Sequence, residues 1–219
     1  MFKDKRLHAT VSTAYSVLAA FFGLSGIAMI VYGVVTTPLL AVPYGHGTYG
    51  TCQYGSCSVS IASNGSVNLS MILSTQYPTL CSTGKDTVTV STRSSTGYTV
   101  TVGTTTPNTN LVGATSSQTI PTTSATVATP AVLSAGTWGY RVDSGTFGPG
   151  PTTPLSAGPV PTTTFAQVPS ATAPSHVTSS TSAATNAATD IWYGVCVGRA
   201  TVKADVYTND VIYTATVNP

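Results

Sequence analysis

The feature that most narrows the folds open to this chain is a period of two. Residues 86–93 read Asp-Thr-Val-Thr-Val-Ser-Thr-Arg, and residues 97–103 read Gly-Tyr-Thr-Val-Thr-Val-Gly. Side chains alternate across a β-strand. Val88 and Val90, then Tyr98, Val100 and Val102, therefore fall on one face, with threonine on the other. That is the pattern of an antiparallel sheet with one buried and one wet face. Threonine suits the wet face, because its β-branch favours a strand without adding charge. Cys57–Ala62 and Ser66–Leu73 alternate too, through Val59 and Ile61 and then Val67, Leu69 and Met71. Asn64-Gly65 between them is a strong hairpin signal, and Ser94–Gly97 reads as the next turn. Trp138–Val142, Asp190–Val197 and Thr208–Val217 read as further strands, with Thr201–Tyr207 joining or extending the last two. Residues 104–136 and 151–189 are rich in Thr, Ser and Pro and read as long loops. Seven or so strands predict a mainly β fold, an immunoglobulin-like antiparallel β-sandwich.

Charge is nearly absent. The 219 residues include eight Lys and Arg, six Asp and no Glu, against 41 Thr and 25 Ser. Helical bundles and coiled coils draw heavily on Ala, Glu, Lys and Leu, so they are excluded. A net charge of +2 gives no basic footprint for nucleic acid. Charge-driven disorder does not fit a nearly neutral chain with 42% hydrophobic residues. No formal charge occurs between Arg6 and Lys85, between Arg93 and Arg141, or between Asp143 and Asp190. From Lys85 onward five basic residues meet five acidic ones, so no net charge holds copies apart.

Ala14–Val35 is a run of 22 uncharged residues. As a helix it spans about 33 Å, enough for the hydrocarbon core of a bilayer. Lys3, Lys5 and Arg6 precede it, so the positive-inside rule puts the N-terminus in the cytoplasm and the rest outside. The expected organisation is a basic cytoplasmic tail (1–8), a transmembrane signal-anchor helix (9–42), a linker (43–56) and an extracellular β-sandwich (57–219). The lipid bilayer is the partner of residues 14–35 in this reading. A cleaved signal peptide is the competing reading. Its apolar core would be about 7–15 residues long and followed by an Ala-x-Ala-like site. The longer run here, with no such site, favours the retained anchor.

Cys52, Cys57, Cys81 and Cys196 all follow the apolar run. An even number in an exported domain reads as two disulfides. Of three pairings, the preferred one joins Cys52 to Cys57 around Gln-Tyr-Gly-Ser and Cys81 to Cys196. There is no second short Cys or His pair, so neither a metal site nor a cofactor is expected.

The runs VTVSTRSSTGYTVTV, TWGYRVDSGTFG, TTTFAQVP, ATNAATDIWYGVCVG and the closing VIYTATVNP span most of residues 86–219. Together they resemble exported β-sandwich surface proteins of Gram-positive bacteria and of Saccharibacteria-like bacteria. That resemblance implies a secreted structural or adhesive domain without catalytic residues. The closing residues carry no sorting motif with a hydrophobic tail, so attachment would rest on the N-terminal segment. A long N-terminal helix before a β domain is also similar to type IV pilin-like filament subunits. Their cleavage pattern places a Glu after Gly-Phe, and this chain has no Glu.

Catalytic signatures are sparse. His8, His46 and His176 lie near no Gly-x-Ser-x-Gly motif. Asp86, Asp143, Asp190, Asp205 and Asp210 sit where strands end or turn, the usual place for a capping Asp. A cell-envelope hydrolase built on paired carboxylates is the remote alternative. A Lys85 isopeptide bond to Asn209 or Asn218 is another minor reading. The tyrosines are more informative. Tyr44, Tyr49 and Tyr54 cluster with glycines near the small disulfide loop, and Tyr140 lies on a strand beside Trp138. Tyrosine offers rigid area with a polar tip, so these four are candidate contacts for protein or glycan. For Trp138, core packing is expected. The sequence thus points to a non-catalytic cell-surface subunit that packs against copies of itself in a surface layer or pilus-like assembly. The alternative is a monomeric membrane-anchored adhesin for host-cell or cell-wall glycan or protein.

Overall fold

The computed structural model describes residues 26–34, 58–72, 77–143, 145–198 and 202–219. Their strands are β1 (Gly26–Val34), β2 (Val59–Ala62), β3 (Ser66–Ile72), β4 (Thr79–Thr92), β5 (Tyr98–Thr104), β6 (Leu111–Gly113), β7 (Thr119–Ile120), β8 (Thr137–Val142), β9 (Leu155–Gly158), β10 (Ser175–Ser180), β11 (Ala184–Gly198) and β12 (Val206–Val217). Sheet A runs β10-β5-β12-β1-β3, with β6 and β7 attached beside β12. Sheet B runs β2-β4-β11-β8, with β9 on β4. The fold is mainly β, as expected, and the two sheets share one core. Val88, Val90, Tyr193 and Val195 enter it from sheet B, and Leu69, Val100, Val102 and Tyr213 enter it from sheet A.

Alternation holds where it was clearest. Val88, Val90 and Thr92 of β4 are buried, with half-buried residues between them. Tyr98, Val100 and Val102 of β5 are buried likewise. The pairing differs from the predicted hairpins. β2 belongs to sheet B and β3 to sheet A, so the chain at Asn64-Gly65 crosses between sheets. β4 and β5 are also in different sheets, and Ser94–Gly97 arches between them. Gly97 has φ +82°, and a Cβ there would lie 2.0 Å from the Ser180 carbonyl oxygen. Asn218 ties the same end together, its side-chain amide donating to the Thr96 and Ser180 carbonyls. A turn signal specifies a reversal; it does not specify which strand lies alongside.

Two further expectations are corrected. The Thr/Ser/Pro-rich tracts are not uniformly loops: β6 and β7 lie in the first, and β9, β10 and the start of β11 in the second. Residues 26–34, the later part of the predicted membrane helix, form strand β1. The rest of the predicted 9–42 helix lies outside the described residues. A strand inside a sheet reads as a near-continuous apolar run, which periodicity alone does not separate from a helix. No helix among the described residues is long and apolar enough to cross a membrane. The sheets are antiparallel except that β1 pairs parallel with β12.

Sheet B is covered on its second face as well. Along β11, Ile191, Tyr193, Val195 and Val197 face the shared core. Trp192 and Cys196, on the alternate face, cluster with Cys81, Leu133 and Phe165, and Leu155 packs against them. The covering segments come close because Gly139 and Gly194 face each other across β8 and β11. A Cβ on Gly194 would meet the Phe165 ring at 2.8 Å, and one on Gly139 would meet the Ala166 carbonyl at 2.6 Å. Tyr140 exchanges both backbone hydrogen bonds with Ala166, so the outer edge of β8 is paired.

Within this outer layer Cys81 and Cys196 form a disulfide, the pairing preferred from the sequence. They are register partners in neighbouring strands, 115 residues apart in the chain. Closing so long a loop contributes about 5 kcal/mol in the chain-entropy model. The Cys81→Ser/Cys196→Ser double variant is expected to lose about that much stability, read from urea unfolding extrapolated to water, with a steeper slope because the released unfolded chain exposes more surface.

Candidate assembly site

β1 is seated in the interior of sheet A. Ala28–Val34 pair parallel with Val206–Ile212 of β12, and Gly26–Tyr32 pair antiparallel with Ile72–Ser66 of β3. β3 has no other partner in the sheet among the described strands. Its Val67, Leu69 and Met71 are buried, as are Tyr207, Val211 and Tyr213 of β12. The slot between β3 and β12 is therefore a site on the domain that residues 26–34 occupy.

Behind β12 the two sheets meet through a polar contact. The hydroxyls of Tyr193 (β11) and Tyr213 (β12) lie 2.7 Å apart and fully buried. Burial holds both phenols well above their ordinary range. Asp86 of β4 is 1% exposed; its Oδ1 accepts from the Asn64 N–H at 2.9 Å, whereas Oδ2 has no hydrogen-bond partner among the described residues. Burial raises the Asp86 pKa, with the Asn64 N–H pulling the other way. The unfolded carboxyl ionises first, so this group's contribution is full below the unfolded value near 4. It is lost as pH rises towards the raised folded value. Asp86→Asn keeps the acceptor for Asn64. It is expected to raise Tm at pH 7 by about 2–4 °C, the shift that ~1 kcal/mol produces in a chain of this size. The gain should vanish below pH 4 in a Tm–pH series against the parent.

Five further charges, Arg141, Asp143, Lys85, Asp190 and Asp205, are held by local partners. Arg141 is fully buried and donates to Asp143 Oδ1 and to the carbonyls of Thr164, Phe147 and Gly148. The second oxygen of Asp143 accepts from the Trp192 indole at 2.8 Å. Burial draws the Arg141 pKa down, and Asp143 opposes that. Arg141→Lys offers one nitrogen to these four acceptors. It is expected to cost about 2–3 kcal/mol in chemical denaturation. Lys85 pairs at the surface with Asp190 at 2.8 Å, which leaves no isopeptide geometry. Asn209 and Asn218 bond to backbone carbonyls instead. Asp205 accepts from the backbone N–H groups of Thr115, Ser116 and Val206 and from two hydroxyls, which hold its pKa far below the carboxylate range.

The candidate contact Tyr140 is fully buried in the core beside Phe147, so it is a packing residue. The sequence signal that misled is its short strand, which is covered on both faces. Trp138 is in the core as expected, 6.4 Å from Tyr193. Tyr44, Tyr49, Tyr54, Cys52 and Cys57 lie outside the described residues. A cleft of about 480 Å³ is lined by Thr109, Thr122, Thr126, Gln167, Ser170 and Ser175 with small apolar neighbours, and by no titratable side chain. His176 lies on β10 with its side chain exposed. Among the described residues no three His, Cys, Asp or Glu converge as metal ligands. The slot itself was missed from the sequence, although the uncharged run Gly26–Val34 was its signal. Comparison with protein-family models, with curated proteins and with solved structures finds no match.

Proposed function

We propose that this protein is a non-catalytic structural subunit of the cell surface, an immunoglobulin-like β-sandwich that assembles with copies of itself into a filament or layer. The observation that carries the reading is the uncharged edge of sheet A. Its outermost strand, β10, reads Ser-His-Val-Thr-Ser-Ser and offers hydroxyls with no lysine, aspartate or proline. Monomeric proteins guard such edges with charge or proline. The interior reinforces this pattern: Arg141 and Asp86, two of the few charges, are buried.

Export is supported by the Cys81–Cys196 disulfide, which belongs to an oxidising compartment. A bilayer helix over 14–35 and strand β1 are exclusive uses of residues 26–34. Residues 14–25 alone would span about 18 Å as a helix, short of the ~30 Å core. We therefore favour an N-terminal segment that directs export over a permanent anchor. The adhesin reading calls for an exposed aromatic patch. The Trp, Phe and Tyr side chains described here are buried, apart from half-buried Tyr77.

Electron microscopy and light scattering of the purified full-length chain test this reading. Filaments or a lattice are expected. Because few charges face out, a tenfold rise in salt is expected to change the assembled fraction by less than about twofold. A strictly monomeric protein at all concentrations would sink the proposal.

A further inference from the structure

Building on the reading of this chain as an assembling subunit, we propose that β1 is an exchanged strand. In the assembly, residues 26–34 of one copy fill the slot between β3 and β12 of the next copy.

The topology makes the slot a built-in vacancy of the domain. Strands β2–β12 all lie after residue 58, and β1 precedes them by residues 35–58. Take residues 26–34 away and β3 loses its only sheet-A partner among the described strands, while β12 loses its ladder over Val206–Ile212. Open backbone groups beside buried Val67, Leu69, Met71 and Val211 demand a strand. Main-chain hydrogen bonds supply affinity in such strand addition, and the donor's origin is immaterial to them. A donor in cis and a donor in trans would make the same ladder, which is the condition for exchange between identical copies.

The connecting segment has the reach. Residues 35–58 number 24 and carry no charge. Extended, 24 residues span at most about 80 Å, roughly twice the ~40 Å diameter of a domain this size. The run contains Pro38, Pro43, Gly45, Gly47 and Gly50, and nothing in its composition demands that it fold back. Each copy then gives one strand and receives one at a different surface. That is a head-to-tail contact, which closes into a ring or propagates as a filament. Neutral copies pay no repulsion for such stacking.

Register partners allow a direct test. Ile30 of β1 faces Asn68 of β3 across the ladder. Ile30→Cys and Asn68→Cys are made singly and together in the full-length chain and treated with a mild thiol oxidant. The unsubstituted chain is the control for its own cysteines. Mixed single variants, co-expressed, are expected to give covalent dimers on non-reducing electrophoresis, and the double variant a ladder of multimers. If the double variant links only within monomers and the mixture gives no dimer, exchange is overturned; filaments or a lattice still visible by microscopy would leave the structural reading standing. Monomer-only linkage with no assembly overturns both. No linkage in any arm overturns the β1–β3 pairing and the proposal with it. Val31→Cys with Asn209→Cys repeats the measurement on the β12 side.

Discussion

The ladder between β4 and β11 is the interaction on which the remaining structure depends. It runs from Thr79 to Thr92 on one strand and from Gly198 back to Ala184 on the other, with one irregularity near Asn186. β2 and β9 attach to the free edge of β4, and β8 attaches to the free edge of β11. One face of the ladder supplies Val88, Val90, Ile191, Tyr193 and Val195 to the shared core. The opposite face supplies Cys81, Trp192 and Cys196 to the outer cluster. Both layers of packing thus rest on the same two strands. A strand covered on both faces reads as an unbroken apolar run, as Ile191–Val197 does.

Much of the fold was legible because a period of two marks a strand wherever it pairs. Val88 and Val90, and Val100 and Val102, were assigned to the buried face and are buried. Pairing was not legible. Alternation at Val59 and Ile61 is the same whether β2 lies beside β3 or, as here, beside β4. The Thr/Ser tracts hid β10 because one buried residue, Val177, anchors it. The disulfide pairing followed from keeping the small loop and the long loop separate. Tyr140 failed as a contact because it lies on β8, whose two faces are both covered, so its ring packs in the core. The slot was illegible for a different reason. Nine apolar residues between Gly26 and Val34 satisfy the needs of lipid and of a sheet interior equally.

Hydroxyls take over tasks that charges perform in other proteins. Ser82, Thr83, Thr92 and Ser94 are buried, and each bonds to backbone or to another hydroxyl. Thr92 bonds to the Ser58 carbonyl, and Thr96 to the Asn218 carbonyl, at the ends of strands. Short neutral groups satisfy backbone amides at little desolvation cost. Arg141 and Asp86, the buried charged groups among the described residues, are held by backbone partners.

The arches at Asn64-Gly65 and Ser94–Gly97 have a consequence for how the chain reaches this state. Because neighbours in sequence go to opposite sheets, nearly every ladder joins distant segments; Cys81 meets Cys196 across 115 residues. High contact order slows folding. A chain emerging N-terminus first has only the short strand β2 beside β4 until β9 arrives, and the long partner β11 follows about a hundred residues after β4. The longest ladder can therefore close only when nearly all of the chain has been made.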